Sequence, residues 1–175
     1  MKNFTLISKI LLSITLASGT LWLGSYTTKL ISLYHLFELD ASNILTLKSN
    51  LQNVDLKPVI FELLPVLSIS LISYLIFVVF AILILFVLKI SLKENGWLFV
   101  SLMIVITCLP FEIILSLKDY KIITMIINDY NNTNEIIEII KSRITMLSSF
   151  PLVSLILHYS IFILFVFKPL TKKSK

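Results

Sequence analysis

The chain has 175 residues, 57% of them hydrophobic and 14% charged, with a net charge of +5 and a mean hydropathy of +0.97. Soluble domains carry about 25% charged residues, so the composition argues against an ordinary soluble enzyme and for one integral membrane domain. The positive balance does not point to nucleic acid, because the basic residues gather at the ends of apolar segments, where headgroups and insertion rules account for them.

The first apolar segment, about residues 10–36, follows Lys2 and Lys9. A basic start, an apolar middle and the small residues Ala17-Ser18-Gly19 resemble a cleavable signal. Hydrophobicity continues past them to Leu36, which favours an uncleaved first span. Small residues recur along it at Ser13, Ala17, Thr20, Gly24 and Thr27 or Thr28, three or four apart, and so form one stripe that admits another backbone closely. Packing inside the protein's own bundle is the first expectation for this stripe, and contact with a separate membrane partner the second. Lys29, on the same span, is expected to snorkel to the headgroups or find an acidic partner.

Residues 37–62 form the first outer loop, with a short surface helix expected to start at Ser42 or Asn43. The second span, 63–88, holds twenty-six residues without a charge. At about 1.5 Å per residue it is roughly 39 Å long, against the ~30 Å that a hydrocarbon core requires. Pro65 is placed in its first turns, where a missing N–H costs little. The third span, 97–117, follows Gly96 and Trp97 and contains Pro110, which frees the Ile106 carbonyl and kinks a helix. Glu112 then falls within the apolar slab.

The second outer loop, 118–148, has a turn signal in NDYNNTN. Asn132 with Glu135 three residues on has the spacing of a capping box. Ile136, Ile137, Ile140, Ile144 and Leu147 gather on one side of the helix that follows, and Glu135, Glu138, Lys141, Ser142 and Thr145 on the other, so a short amphipathic surface helix is expected. The fourth span, 149–167, opens near Pro151 and ends in a basic tail. Counting Lys and Arg gives two at the N-terminus, two in the 89–96 turn and four in the tail, eight in all, against the single acid Glu94. The opposite side carries six against eight acids. The positive-inside rule therefore places both termini in the cytoplasm, with a bacterial inner membrane as the expected location.

Most cofactor chemistry fails on residue supply. Cys108 stands alone, so paired-thiol redox is excluded. His35 and His158, the two histidines, lie at different depths and would not share a haem. No cluster has metal-ligand spacing, and three glycines make no phosphate loop. Ser154 and His158, four apart on one helix face, are a weak nucleophile–base pair. The remaining polar groups at depth are Lys29, Glu112, His158 and Tyr74. Burying a charge in lipid costs at least ~2.5 kcal/mol, which drives such groups to pair inside the bundle. Lys29 and Glu112 are expected to form an ion pair between the first and third spans.

The expectation is an all-α bundle of four transmembrane helices with short surface helices in both outer loops and no cofactor. The leading functional expectation is a non-enzymatic scaffold or accessory subunit of a larger membrane assembly, with the lipid bilayer, other membrane subunits or a second copy as partners. A small oligomeric transporter using Glu112, Lys29, His158 and Tyr74, and a membrane enzyme acting on lipid or quinone, are the alternatives.

Overall fold

A computed structural model describes residues 6–88, 92, 95–128 and 132–171. Lys2, Lys89, Lys93, Glu94 and the tail lysines Lys172, Lys173 and Lys175, on which the charge count rests, lie outside the described residues, as does 129–131 of the turn cluster.

The described chain runs α1 (Leu6–His35), β1 (Phe37–Leu39), β2 (Leu45–Leu47), a single 3₁₀ turn (Ser49–Leu51), α2 (Lys57–Leu88), α3 (Gly96–Asn128), α4 (Thr133–Met146) and α5 (Phe150–Phe167). Four of these helices (α1, α2, α3 and α5) are long and apolar enough to cross a bilayer. Their outward faces carry large exposed aliphatics such as Ile72, Leu75, Leu117 and Ile156, as lipid-facing surfaces do.

The bundle is built on seams of residues spaced three and four apart. On α2 the seam is Ile60, Leu63, Leu67, Ser70 and Tyr74; on α3 it is Ser101, Val105, Cys108, Glu112, Leu115, Asp119, Ile122 and Ile126. This alternation keeps one side of a helix against its neighbours over many turns.

Two helices are longer than their apolar runs. α3 was expected to end at 117 and continues to Asn128; α2 was expected from 63 and starts at Lys57. Lys118, Asp119 and Lys121 mark where hydrophobicity falls, but no Gly or Pro follows to stop the helix before Asn128. Pro65 consequently stands well inside α2 and not in its first turns. These extensions, together with α1 and α4, enclose an aliphatic core at one end of the bundle, formed by Leu33, Leu36, Ile60, Ile122, Ile136 and Ile140 among others.

The 37–62 loop, where a surface helix was expected, holds a β-hairpin and a 3₁₀ turn. β1 and β2 pair antiparallel, with Phe37 opposite Leu47 and Leu39 opposite Leu45. Ser42 and Asn43 serve the turn: one Asp40 carboxylate oxygen accepts from the Ser42 N–H, the Ser42 hydroxyl and the Ile44 N–H, each at 2.9 Å. Asn43 takes the left-handed conformation (φ 58°) that its short polar side chain tolerates.

The 118–148 segment does carry the amphipathic helix, α4, with Asn132 preceding it. The Asn132 amide donates to the Glu135 carboxylate at 2.7 Å and makes no side-chain bond to a backbone N–H. At the opposite end of the bundle, the Gly96 N–H donates to the Leu170 carbonyl at 3.1 Å, and Trp97 meets Phe165 edge-on at 5.9 Å.

Candidate functional site

A chain of buried polar side chains runs from α4 into the middle of the bundle. α5 gauges its depth. Phe111 packs on Phe150, the first residue of α5, with ring centres 4.5 Å apart. Asp119, eight residues past Phe111 on α3, therefore stands about 12 Å beyond the start of α5.

Asp119 is the hub of this polar chain. Arg143 of α4 donates through Nε to Asp119 Oδ1 and through Nη2 to Oδ2 at 3.2 Å. Lys29 Nζ of α1 donates to the same Oδ2 at 2.8 Å. All three residues are at most 3% exposed. Burial alone would lower the Arg143 pKa, but the adjacent Asp119 carboxylate overrides it and leaves the guanidinium above its ordinary value. Lys29 is thus neither snorkelling nor paired with Glu112: its ionic partner is Asp119.

Lys29 also lies over the Tyr26 ring, 4.4 Å from its centre, which joins the triad to a second group one turn deeper. Glu112 Oε1 accepts from the Tyr26 hydroxyl at 3.1 Å and from the Ser154 hydroxyl at 2.6 Å. The carboxylate therefore ties α1, α3 and α5 through neutral donors, and needs no lysine to be satisfied.

His158 comes next, about 6 Å deeper than Ser154 on α5. Its Nδ1 lies 2.8 Å from the Ser154 carbonyl oxygen. A carbonyl can only accept, so Nδ1 carries the proton, and in the neutral ring Nε2 holds the lone pair. The Ser154 hydroxyl sits 3.4 Å from Nδ1 and has the far shorter bond to Glu112. His158 is not placed to take the Ser154 proton, and the pair does not form an activated nucleophile. The His158 ring packs edge-on to Trp22 at 4.7 Å. Tyr74 packs on Trp22 with ring centres 4.9 Å apart and makes no hydrogen bond through its hydroxyl. Tyr74 thus belongs to the aromatic packing and not to the polar chain.

Below His158 the interior turns apolar. A cavity of about 140 Å³ lies between all four long helices, walled by residues that include Leu16, Trp22, Phe77, Leu102, Trp97 and Phe165. No group of three or more His, Cys, Asp or Glu able to hold a metal occurs among the described residues.

The small-residue stripe faces away from all of this. Ser13, Ala17, Thr20, Gly24 and Thr28 are exposed, while the opposite face of α1 buries Trp22, Tyr26, Lys29 and Leu33. Packing inside the protein's own bundle, the first expectation for the stripe, is therefore corrected. The bulky face fills the interior, and the small face is left outside. Thr27 separates from it by turning to α5, 3.2 Å from the Tyr159 hydroxyl.

Asp119 and Arg143 were not among the sequence candidates. Arg143 lies three, four and seven residues after Ile140, Ile139 and Ile136, so it occupies the apolar side of α4. A charge in that position is the signal of a buried partner. Comparisons with protein-family models, with curated proteins and with solved structures found no match for this chain.

Proposed function

We propose that this chain is a non-enzymatic accessory protein of the cytoplasmic membrane, with both termini in the cytoplasm, that docks on a spanning helix of another membrane protein through the Ser13–Thr28 face of α1. The observation that carries the reading is the outward stripe. A Cβ added at Gly24 would meet nothing within 4 Å, so a second helix could approach the backbone there. The stripe's hydroxyls are already satisfied: Ser13, Thr20 and Thr28 donate to the carbonyls of Lys9, Leu16 and Gly24 at 2.9–3.0 Å. They stand ready in lipid and leave a smooth surface for close helix contact.

The hairpin beside the end of α1 exposes Leu39 and Ile44, apolar side chains that a partner or the headgroup layer would cover. The transporter reading is weaker because the polar chain stops at His158 and the remaining half of the interior is apolar. The enzyme reading lacks an activated nucleophile.

A photo-reactive residue at position 28, tested in native membranes with Gly24 intact and with Gly24→Leu, addresses the proposal. The expected result is an adduct with one different membrane polypeptide, lost in Gly24→Leu. An adduct only with a second copy of the chain, or none, would overturn it.

A further inference from the structure

We infer that the recess between the four long helices is a binding site for one anionic phospholipid, which lays an acyl chain along it and sets its phosphate on Lys168. The inference rests on the four helices lying in a bilayer and is independent of the α1 stripe.

The recess asks for hydrocarbon. On α3 its wall runs from Trp97 to Val105, eight residues or about 12 Å along the bundle, and on α5 from His158 to Phe165. Thr15 and Ser101 line it, but their hydroxyls donate to the carbonyls of Leu11 and Trp97, both at 2.9 Å. His158 stands at the deep end and is 2% exposed, with Nε2 out of an occupant's reach. No wall group is left to hold water, and an apolar void of this kind stays dry. Left empty, its walls forfeit dispersion contacts on one side, which a run of methylenes restores. The recess, about 140 Å³, is half-open, so such a chain can enter sideways from the bilayer.

Charge selects the headgroup. The recess begins where α3 starts and α5 ends. Lys168, the residue after α5, holds Nζ 6.0 Å from the Trp97 ring centre and 5.5 Å from that of Phe165, and both rings are wall residues. This lysine is exposed, and no ion pair among the described residues involves it. Lys9, also exposed, stands one turn before Leu12, the first wall residue of α1. The segments that meet at this end carry eight lysines against the single acid Glu94. A zwitterionic headgroup brings its own ammonium into that field, whereas an anionic one brings the phosphate without it. Trp97, at the mouth, is the residue type that sits at headgroup level.

Both tryptophans of the chain, Trp22 and Trp97, line the recess, so bromine atoms on a bound acyl chain report occupancy by quenching. The experiment titrates phosphatidylglycerol and phosphatidylcholine, each with one dibrominated acyl chain, into the purified full-length chain in a nonionic detergent and follows tryptophan emission. Phosphatidylglycerol is expected to quench saturably at one lipid per chain and to bind about tenfold tighter than phosphatidylcholine. Lys168→Gln should cut that preference about fivefold, the share of one lysine beside an anionic headgroup. Lys48→Gln, in the loop at the opposite end, should leave it unchanged. Ala81→Phe, which places a ring in the recess and leaves Lys168 intact, should abolish saturation by both lipids. If Ala81→Phe does not fold, the Lys168 comparison, made on an exposed side chain, decides alone. Equal affinities in the unmodified chain, a preference indifferent to Lys168→Gln or equally reduced by Lys48→Gln, or saturation that survives in folded Ala81→Phe would each overturn the inference. Failure of insertion itself shows separately, as a chain that stays monodisperse without detergent.

Discussion

Arg143 reaches back twenty-four residues to grip both carboxylate oxygens of Asp119, and each of the two residues is 1% exposed. This pairing turns α4 from a helix lying on a surface into a helix fastened to the bundle. It also sets the charge problem of the site, because Lys29 shares the same carboxylate, leaving two cations on one anion.

Removing that anion should be severe. Asp119→Asn leaves two buried cations without a counter-charge and is expected to lower stability by about 3–5 kcal/mol. Replacing the triad together, as Lys29→Met, Asp119→Leu and Arg143→Met, should recover most of the loss, since a well-packed apolar set is often as stable as a buried ionic one. Thermal unfolding in detergent compares the variants. A loss under ~1 kcal/mol for Asp119→Asn would show that the triad carries no such weight.

The two buried tyrosines beside Trp22 should respond oppositely to loss of the hydroxyl. Tyr74→Phe removes an oxygen that has no hydrogen-bond partner and is expected to be neutral or stabilising. Tyr26→Phe removes a donor from Glu112 and is expected to cost about 1–2 kcal/mol. Paired unfolding curves check the contrast, and equal effects would refute it.

The hairpin turn should open in acid. The Ile44 N–H, and then the Ser42 hydroxyl, donate to the Asp40 carboxylate and hold its pKa below the usual carboxylate value. A depressed folded-state pKa means that the stabilisation is complete above the ordinary carboxylate range. It is lost as pH falls through the depressed value. Hydrogen exchange at the Ser42 and Ile44 amides should accelerate, relative to the intrinsic rate, over that acidic window. In Asp40→Ala the exchange should be fast at every pH.

Glycines on α1 and α3 should differ in sign. Gly24→Ala adds a methyl into open space on a helix interior and is expected to raise stability by about 0.5–1 kcal/mol. Gly96→Ala would bring its Cβ to 2.7 Å from the Leu170 Cβ, so that the segment after α5 must shift. It is expected to destabilise, and melting curves of the two variants in one detergent separate the cases.

Much of the architecture was legible because lipid-length apolar runs are a strong signal, and four of them map onto α1, α2, α3 and α5. The polar site was only half legible. Glu112, Ser154 and His158 stand out as polar groups inside apolar runs, and three of the four polar residues singled out at depth (Lys29, Glu112 and His158) belong to the buried chain. The Lys29 partner was misassigned because α3 was ended at its charges. Carrying the Cys108, Glu112, Leu115 spacing onward reaches Asp119, Ile122 and Ile126 without a break. Hydropathy measures where lipid ends, whereas the three-and-four spacing measures where packing ends, and here packing runs about three turns further. The hairpin was missed because its signal is local: one Asp40 accepting three donors outweighs the helical propensity of a short segment.

α5, eighteen residues from Phe150 to Phe167, is about 27 Å long, while its three companions are each at least thirty residues. With the bundle inserted as proposed, the shortest member would dictate the bilayer that the molecule tolerates, since its ends could not be drawn into hydrocarbon without stranding Lys168 on one side. A host membrane a few ångströms thicker would have to dimple around that single edge of the protein. Such a one-sided deformation would favour thin bilayers, where no part of the short helix has to be pulled inward.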